Sequence, residues 1–168
     1  MASDVIVINK EDLCCLIGES RQNQYSISKL QALSCEETPM YKRDGIEITL
    51  NTDYLKAALK LFQEKMGIKF KELNIVLPHS VCWFHYLEVE DLPKNENEAE
   101  EFIMWKIQKT LPIPKDIAII KHSLLTRGKD SSKILFSATF KPLITSLEGC
   151  LKGLGFVASF ICPPTLAF

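Results

Sequence analysis

Pro112 and Pro114 stand where an amphipathic run gives way to an apolar one: "MWKIQKTLPIPKDIAIIKHSLL", residues 104–125. A proline disfavours helical geometry in the residue before it. Leu111 and Ile113 are therefore both pushed towards extended backbone, and a helix entering this stretch has to end near Thr110. The run that follows, 116–125, reads as a strand. Helix and strand thus alternate over short distances, and the expected fold class is mixed, α/β (α+β).

The helix before the stop has its own signals. "EDLPKNENE" (90–98) is a polar break, and Asn95 followed by Glu98 is a variant of the capping box. Glu98, Glu100 and Glu101 fall in the first turn, with Lys106 and Lys109 near the end, as the helix dipole favours. Ala99, Phe102, Ile103, Ile107 and Trp105 are its expected buried residues. Upstream, "VCWFHYLEV" (81–89) is rich in aromatic and β-branched residues and reads as a strand. Downstream, 133–140 is the antiparallel partner of 116–125, and 141–155 is a helix with Pro142 in its first turn. Leu143, Leu147, Cys150, Leu151 and Leu154 form its apolar stripe, Gly153 and Gly155 stop it, and 156–162 is a last strand.

The first part of the chain is simpler. "VIVI" (5–8) and 13–20 make a hairpin, 25–33 a third antiparallel strand, and 36–45 a loop closed by Asp44-Gly45. A short strand (46–50) precedes the clearest helix, "NTDYLKAALKLFQEKMG", which buries Leu55, Ala58, Leu59, Phe62 and Met66 at helical spacing. Asn51 or Thr52 caps it and Gly67 ends it. The strand at 72–78 then follows a crossover, which suits a parallel neighbour. Residues 1–80 thus read β-β-β-α-β, residues 81–162 read β-α-β-β-α-β, and 163–168 approach a further element.

Composition narrows the chemistry. A formal net charge of −1 gives no field to draw in nucleic acid or an anionic membrane surface. No run approaches the ~18 apolar residues of a membrane span, and the N-terminus does not read as a signal peptide. The six cysteines (Cys14, Cys15, Cys35, Cys82, Cys150 and Cys162) include no C-x-x-C pair, and neighbours such as Cys14 and Cys15 on a strand face opposite ways. They read as free thiols in a reducing compartment. His79, His85 and His122 have no ligand at metal spacing, His79 and Ser80 diverge on an extended chain, and no nucleotide or metalloprotease motif occurs. No catalytic residue, cofactor site or metal site is assigned, and the chain is expected not to be an enzyme.

The dispersed pattern Leu77-Pro78, Leu92-Pro93, the acidic helix, Pro112-Ile113-Pro114, "KILFSATF" and Gly153-Leu154-Gly155-Phe156 resembles the type IV pilus assembly protein PilM family. The cytoplasmic domain of the type II secretion protein GspL is a more distant relative. The resemblance covers nearly the whole chain but only the N-terminal half of such a protein. It implies half of an actin-like (ribonuclease H-like, FtsA-like) fold, with an actin-like subdomain at 1–80, an inserted subdomain at 81–162, and the start of a second half at 163–168.

The family pattern is broken in two places. PilM opens with a glycine-containing phosphate loop between its first two strands, where backbone N–H groups approach phosphate. Here the loop is "INKEDLC", and Glu11 and Asp12 repel phosphate. An actin-like nucleotide site also needs both halves of the fold. The resemblance therefore implies a non-catalytic cytoplasmic scaffold, without ATP, at the inner face of the inner membrane. Its membrane contact is through partners: a cytoplasmic peptide of a PilN-like membrane protein, or the secretion ATPase. The implied contact residues are Pro78, Val81, Trp83, Leu111 and Ile113, around the 78–83 junction and the 111–114 turn. The sequence does not decide whether the chain forms a homodimer, although the resemblance admits one through 81–140. The alternative is one lobe of an actin-like nucleotide-binding ATPase.

Overall fold

The computed structural model describes residues 2–21, 24–34, 39–66, 71–128 and 131–166. The chain divides into two compact units, Met1–His79 with Pro142–Phe168, and Ser80–Lys141.

The first unit is built on a mixed sheet. Strands β1 (Ala2–Ile8), β2 (Asp12–Arg21) and β3 (Gln24–Ser34) form the expected antiparallel meander. A small hairpin, β4 (Tyr41–Asp44) with β5 (Glu47–Leu50), comes next. The sequence reading treated 36–45 as loop. Within its described part, the chain instead pairs Tyr41 with Leu50, and Gly45 makes the turn at φ 59°. Side chains other than glycine reach that conformation only at a cost. Helix α1 (Thr52–Met66) follows, and Asn51 is the residue that caps it: its Oδ1 accepts from the Tyr54 N–H at 3.1 Å. The expected stop at Gly67, like Cys35, lies outside the described residues.

Strand β6 (Glu72–Val76) runs parallel to β1, as a crossover through α1 requires. The chain then leaves for the second unit and returns as helix α3 (Lys141–Gly153) and the final strand, here numbered β10 (Val157–Cys162), which pairs parallel with β6. The sheet order is β10-β6-β1-β2-β3. The sequence reading grouped α3 and the last strand with 81–141. The last strand's hydrogen-bond ladder with β6 puts it in the first unit, and α3 belongs to the same compact unit. Alternation along β1 and β2 buries Ile6, Ile8, Leu13 and Cys15, and the helices supply Leu55, Leu59, Phe62, Leu143, Leu147 and Leu151 to the core. Cys150 Sγ reaches the Thr52 carbonyl of α1 at 3.7 Å, and Lys29 Nζ of β3 donates to the Met66 carbonyl at the C-terminal end of α1 at 2.8 Å.

The second unit has β7 (Cys82–Glu90), α2 (Glu96–Thr110), a short 3-10 turn (Lys115–Ile117), β8 (Ala118–Arg127) and β9 (Ser131–Phe140). The strands form an antiparallel sheet in the order β7-β9-β8. One face carries Val89, Ile134 and Phe136, which pack with Ile103 and Ile107 of α2 into a separate core. Leu87, Leu92, Phe102, Leu111 and Ile120 close around it. Among the described residues no helix is long and apolar enough to cross a membrane.

Candidate interaction surface

Helix α2 and the turn after it are set by local chemistry. Asn95 Oδ1 accepts from the N–H groups of Asn97 (2.9 Å) and Glu98 (3.3 Å), satisfying donors that have no partner within the helix. At the other end Leu111 is extended (φ −73°, ψ 134°), as Pro112 demands, and its N–H still closes on the Ile107 carbonyl at 3.0 Å. Ile113 is buried while Pro112 and Pro114 face outward, so the stop is anchored by one apolar side chain between two prolines.

The five predicted contact residues divide by burial. Val81 and Ile113 are interior, which leaves them no surface to offer. Thr139 Oγ1 donates to the Val81 carbonyl at 2.8 Å, fixing that stretch to β9. Leu111 is half-buried against the second unit's core. Trp83 is half-buried and meets Phe140 edge-on, with ring centroids 5.2 Å apart. Pro78, in the first unit, is half-buried after β6. Within the second unit the structure thus offers Trp83 and Leu111 as partly exposed candidates.

Trp105 departs from expectation more plainly. The sequence reading buried it on α2, yet it is 46% exposed, and Phe102 is half-buried. The two rings stack at 5.8 Å, and Lys109 Nζ lies 3.7 Å from the Trp105 ring centroid. Pro93, Glu98, Glu101, Phe102 and Trp105 line an open hollow of about 430 Å³. Helical spacing could have found this face, because Glu98, Phe102, Trp105 and Lys109 recur at i, i+4, i+7 and i+11, opposite Ala99, Ile103 and Ile107. Further apolar side chains stand exposed on outer strands: Leu124 and Leu125 on β8, Val157 and Phe160 on β10, Ile27 and Leu30 on β3.

The β1–β2 turn, where an actin-like phosphate loop would lie, is tied to itself. The Asn9 N–H donates to the Asp12 carbonyl (3.0 Å), and Asn9 Nδ2 donates to Asp12 Oδ1 (2.7 Å). Cys14 Sγ also reaches Asp12 Oδ1, at 3.7 Å. The described cysteines, Cys14, Cys15, Cys82, Cys150 and Cys162, are free thiols. Burial first, then the Asp4 and Cys14 charges, pushes the Cys15 thiol up to about 12, so it stays protonated. His122 Nε2 on β8 lies 3.1 Å from Glu100 Oε2 on α2. His85, beside Phe136 on the neighbouring strand, is 5.8 Å from that ring. Among the described residues no three metal-ligating side chains come together.

Solved structures of similar shape identify the architecture. Over 97% of its length the chain superposes on part of the PilM–PilN type IV pilus biogenesis complex, with a TM-score of 0.73 and 13% identity. The fold is that of part of an actin-like architecture. The cytoplasmic domain of EpsL, an inner-membrane component of the type II secretion system of Vibrio cholerae, matches 97% of the chain with a TM-score of 0.61 and 12% identity. The chain spans 47% and 57% of those two structures, about half their length. The resemblance to PilM and to GspL-type cytoplasmic domains read from the sequence is therefore present in the fold. No protein-family model and no curated protein matches the sequence.

Proposed function

We propose that this chain is a non-catalytic scaffold of a type IV pilus or type II secretion assembly platform, acting at the inner face of the inner membrane by holding another protein. The observation that carries the reading is the 97% coverage, at a TM-score of 0.73, of a structure solved as a PilM–PilN complex. The likeness to the cytoplasmic part of an inner-membrane secretion component supports the same placement. By that likeness the partner is the cytoplasmic peptide of a PilN-like membrane protein or the secretion ATPase, and membrane contact is through the partner.

The acidic β1–β2 turn supports a role without nucleotide. Asp12 holds both Asn9 and Cys14, and Glu11 stands exposed beside it, so two carboxylates occupy the place where phosphate would need N–H donors.

Co-purification from the native membrane fraction, with the chain as bait and mass spectrometry as readout, tests the proposal. Recovery of a PilN-like protein or a secretion ATPase is the expected result. Recovery of neither by a bait shown to be folded, or tight binding of Mg-ATP in a calorimetric titration, would defeat it.

A further inference from the structure

A hollow of about 330 Å³ opens between the end of the second unit's sheet and the connection from β7 to α2. Leu92, Pro93 and Lys94 of that connection line one side, and Arg127, the last residue of β8, lines the other. Ser132 of β9 lies between them. It pairs with Val89 and with Arg127 across the sheet, which places it on the α2 face with Ile134 and Phe136, and it is only 2% exposed. The Gly128 N–H donates to the Ser131 carbonyl at 3.0 Å, and a Cβ on Gly128 would collide with that oxygen, so the wall there is backbone. Arg127 Nη2 donates to the Pro93 carbonyl, which fixes the guanidinium against the connection. That is one acceptor for a group with five N–H donors. Among the described residues neither Arg127 nor Lys94 has an ion-pair partner. Asp91 is the carboxylate in the lining, where the chain leaves β7 with a left-handed φ of 53°. Glu88, on the opposite face of the sheet, is taken up by Ser131 Oγ at 2.7 Å.

We propose that this hollow binds an oxyanion, a phosphate group. Hydrogen bonds from Arg and Lys are strongest to an ionised acceptor. Arg127, already oriented by Pro93, presents its planar fork from one side, and Lys94 supplies a second positive charge from the other. The Ser132 hydroxyl donates between them. A phosphate carries oxygens in several directions and can meet donors that share no plane, whereas a carboxylate has two oxygens in one plane. Leu92, packed on the unit's core, and Pro93 wall part of the site with apolar surface, which strengthens the attraction. Left-handed backbone at a residue other than glycine is costly and persists where the surroundings enforce it. At Asp91 it shapes the connection that carries Pro93 and Lys94. The Asp91 charge itself opposes an anion and limits the affinity. The inference rests on the hollow alone and is independent of the assembly-platform reading.

Titration of the full chain with inorganic phosphate at constant ionic strength, followed by nuclear magnetic resonance with chloride as the control, is the test. Saturable shifts are expected at the amides of Lys94, Arg127, Gly128 and Ser132. Lys94→Gln and Arg127→Gln each weaken binding about tenfold, the size of one charge-assisted hydrogen bond. Arg127 also holds Pro93, so if circular dichroism finds Arg127→Gln unfolded, Lys94→Gln decides, because it leaves the Arg127–Pro93 bond in place. Asp91→Asn removes the opposing charge, asparagine accepts the left-handed backbone, and binding tightens. Flotation with vesicles of phosphatidylglycerol or of phosphatidylcholine separates two sources of the group. Retention by phosphatidylglycerol vesicles alone, lost in Lys94→Gln, assigns it to a lipid headgroup. Phosphate binding without retention assigns it to a soluble phosphate compound. Absence of saturable shifts overturns the proposal. So do shifts that chloride reproduces, or phosphate binding untouched by Lys94→Gln.

Discussion

Asp4 is 1% exposed in the interior of β1, and neither carboxylate oxygen has a hydrogen-bond partner. It shares a strand face with Ile6 and Ile8, and the loss of water raises its pKa above the ordinary 3.8. The folded state therefore binds this proton more tightly than the unfolded one. The stabilising contribution of the protonated form is complete below about pH 3.8 and is lost as pH rises through the folded value. Asp4→Asn removes both the charge and the titration. Urea denaturation should show the variant more stable than wild type at neutral pH, with the advantage shrinking as pH falls towards 3.8. A variant equally stabilised at every pH, or less stable at neutral pH, would mean that the carboxylate is satisfied in solution. Period-two alternation from Ile6 and Ile8 already placed Asp4 on the inner face, but a single acid beside an apolar run drew no inference from the sequence.

At the scale of elements, the endings of helices were the most readable features, because their chemistry is local. Asn95 caps α2 and Pro112 ends it, and both follow from side chains within a few residues of the terminus. The end of α3 is as local. The Gly155 N–H bonds to the Lys152 carbonyl, and the Phe156 N–H to the Leu151 carbonyl, with Gly155 at φ 79°. That is the Schellman arrangement, and it needs a residue at ease in the left-handed region. A Cβ at Gly155 would meet no atom within 4 Å, so the cost of Gly155→Ala is conformational and not steric. Thermal or urea unfolding should show a loss of about 1 kcal/mol, and Gly155→Asn a smaller one. An alanine variant as stable as wild type would show that the turn reforms without positive φ. Trp105 was misread because the exposure of a large aromatic residue on a helix depends on which packing partner lies opposite. In this unit Ile103 and Ile107, backed by Phe136 and Ile134, already fill that role.

For the whole molecule, the sequence carried the list of elements but not the return of the last strand. "FVASFIC" alternates too loosely to name a partner, since Val157 and Phe160 are exposed, and a backbone ladder reads no side chain. The same holds for the predicted contact residues: Val81 and Ile113 are apolar residues beside prolines or turns, and nothing local distinguishes an interior one from a docking one. The consequence of the return can be tested by ending the chain at Lys141. The first unit then loses β10 and all of α3 beyond its first residue, with buried Leu143, Ile144, Leu147, Cys150, Leu151, Phe156 and Cys162, and β6 loses one of its two sheet neighbours. Large side chains in a core are worth about 2–5 kcal/mol each when truncated, and a domain's total stability is only about 5–15 kcal/mol, so that unit should not fold. Ser80–Lys141 keeps its sheet and helix and the core of Val89, Ile103, Ile107, Ile134 and Phe136. Hydrogen exchange on the truncated chain should therefore show fast amides along β1, β2 and β6 and protected ones along β7 and β9. Uniform protection would mean that the first unit stands without its last strand. Uniform loss would mean that the second unit depends on the first for its stability, despite having a separate core.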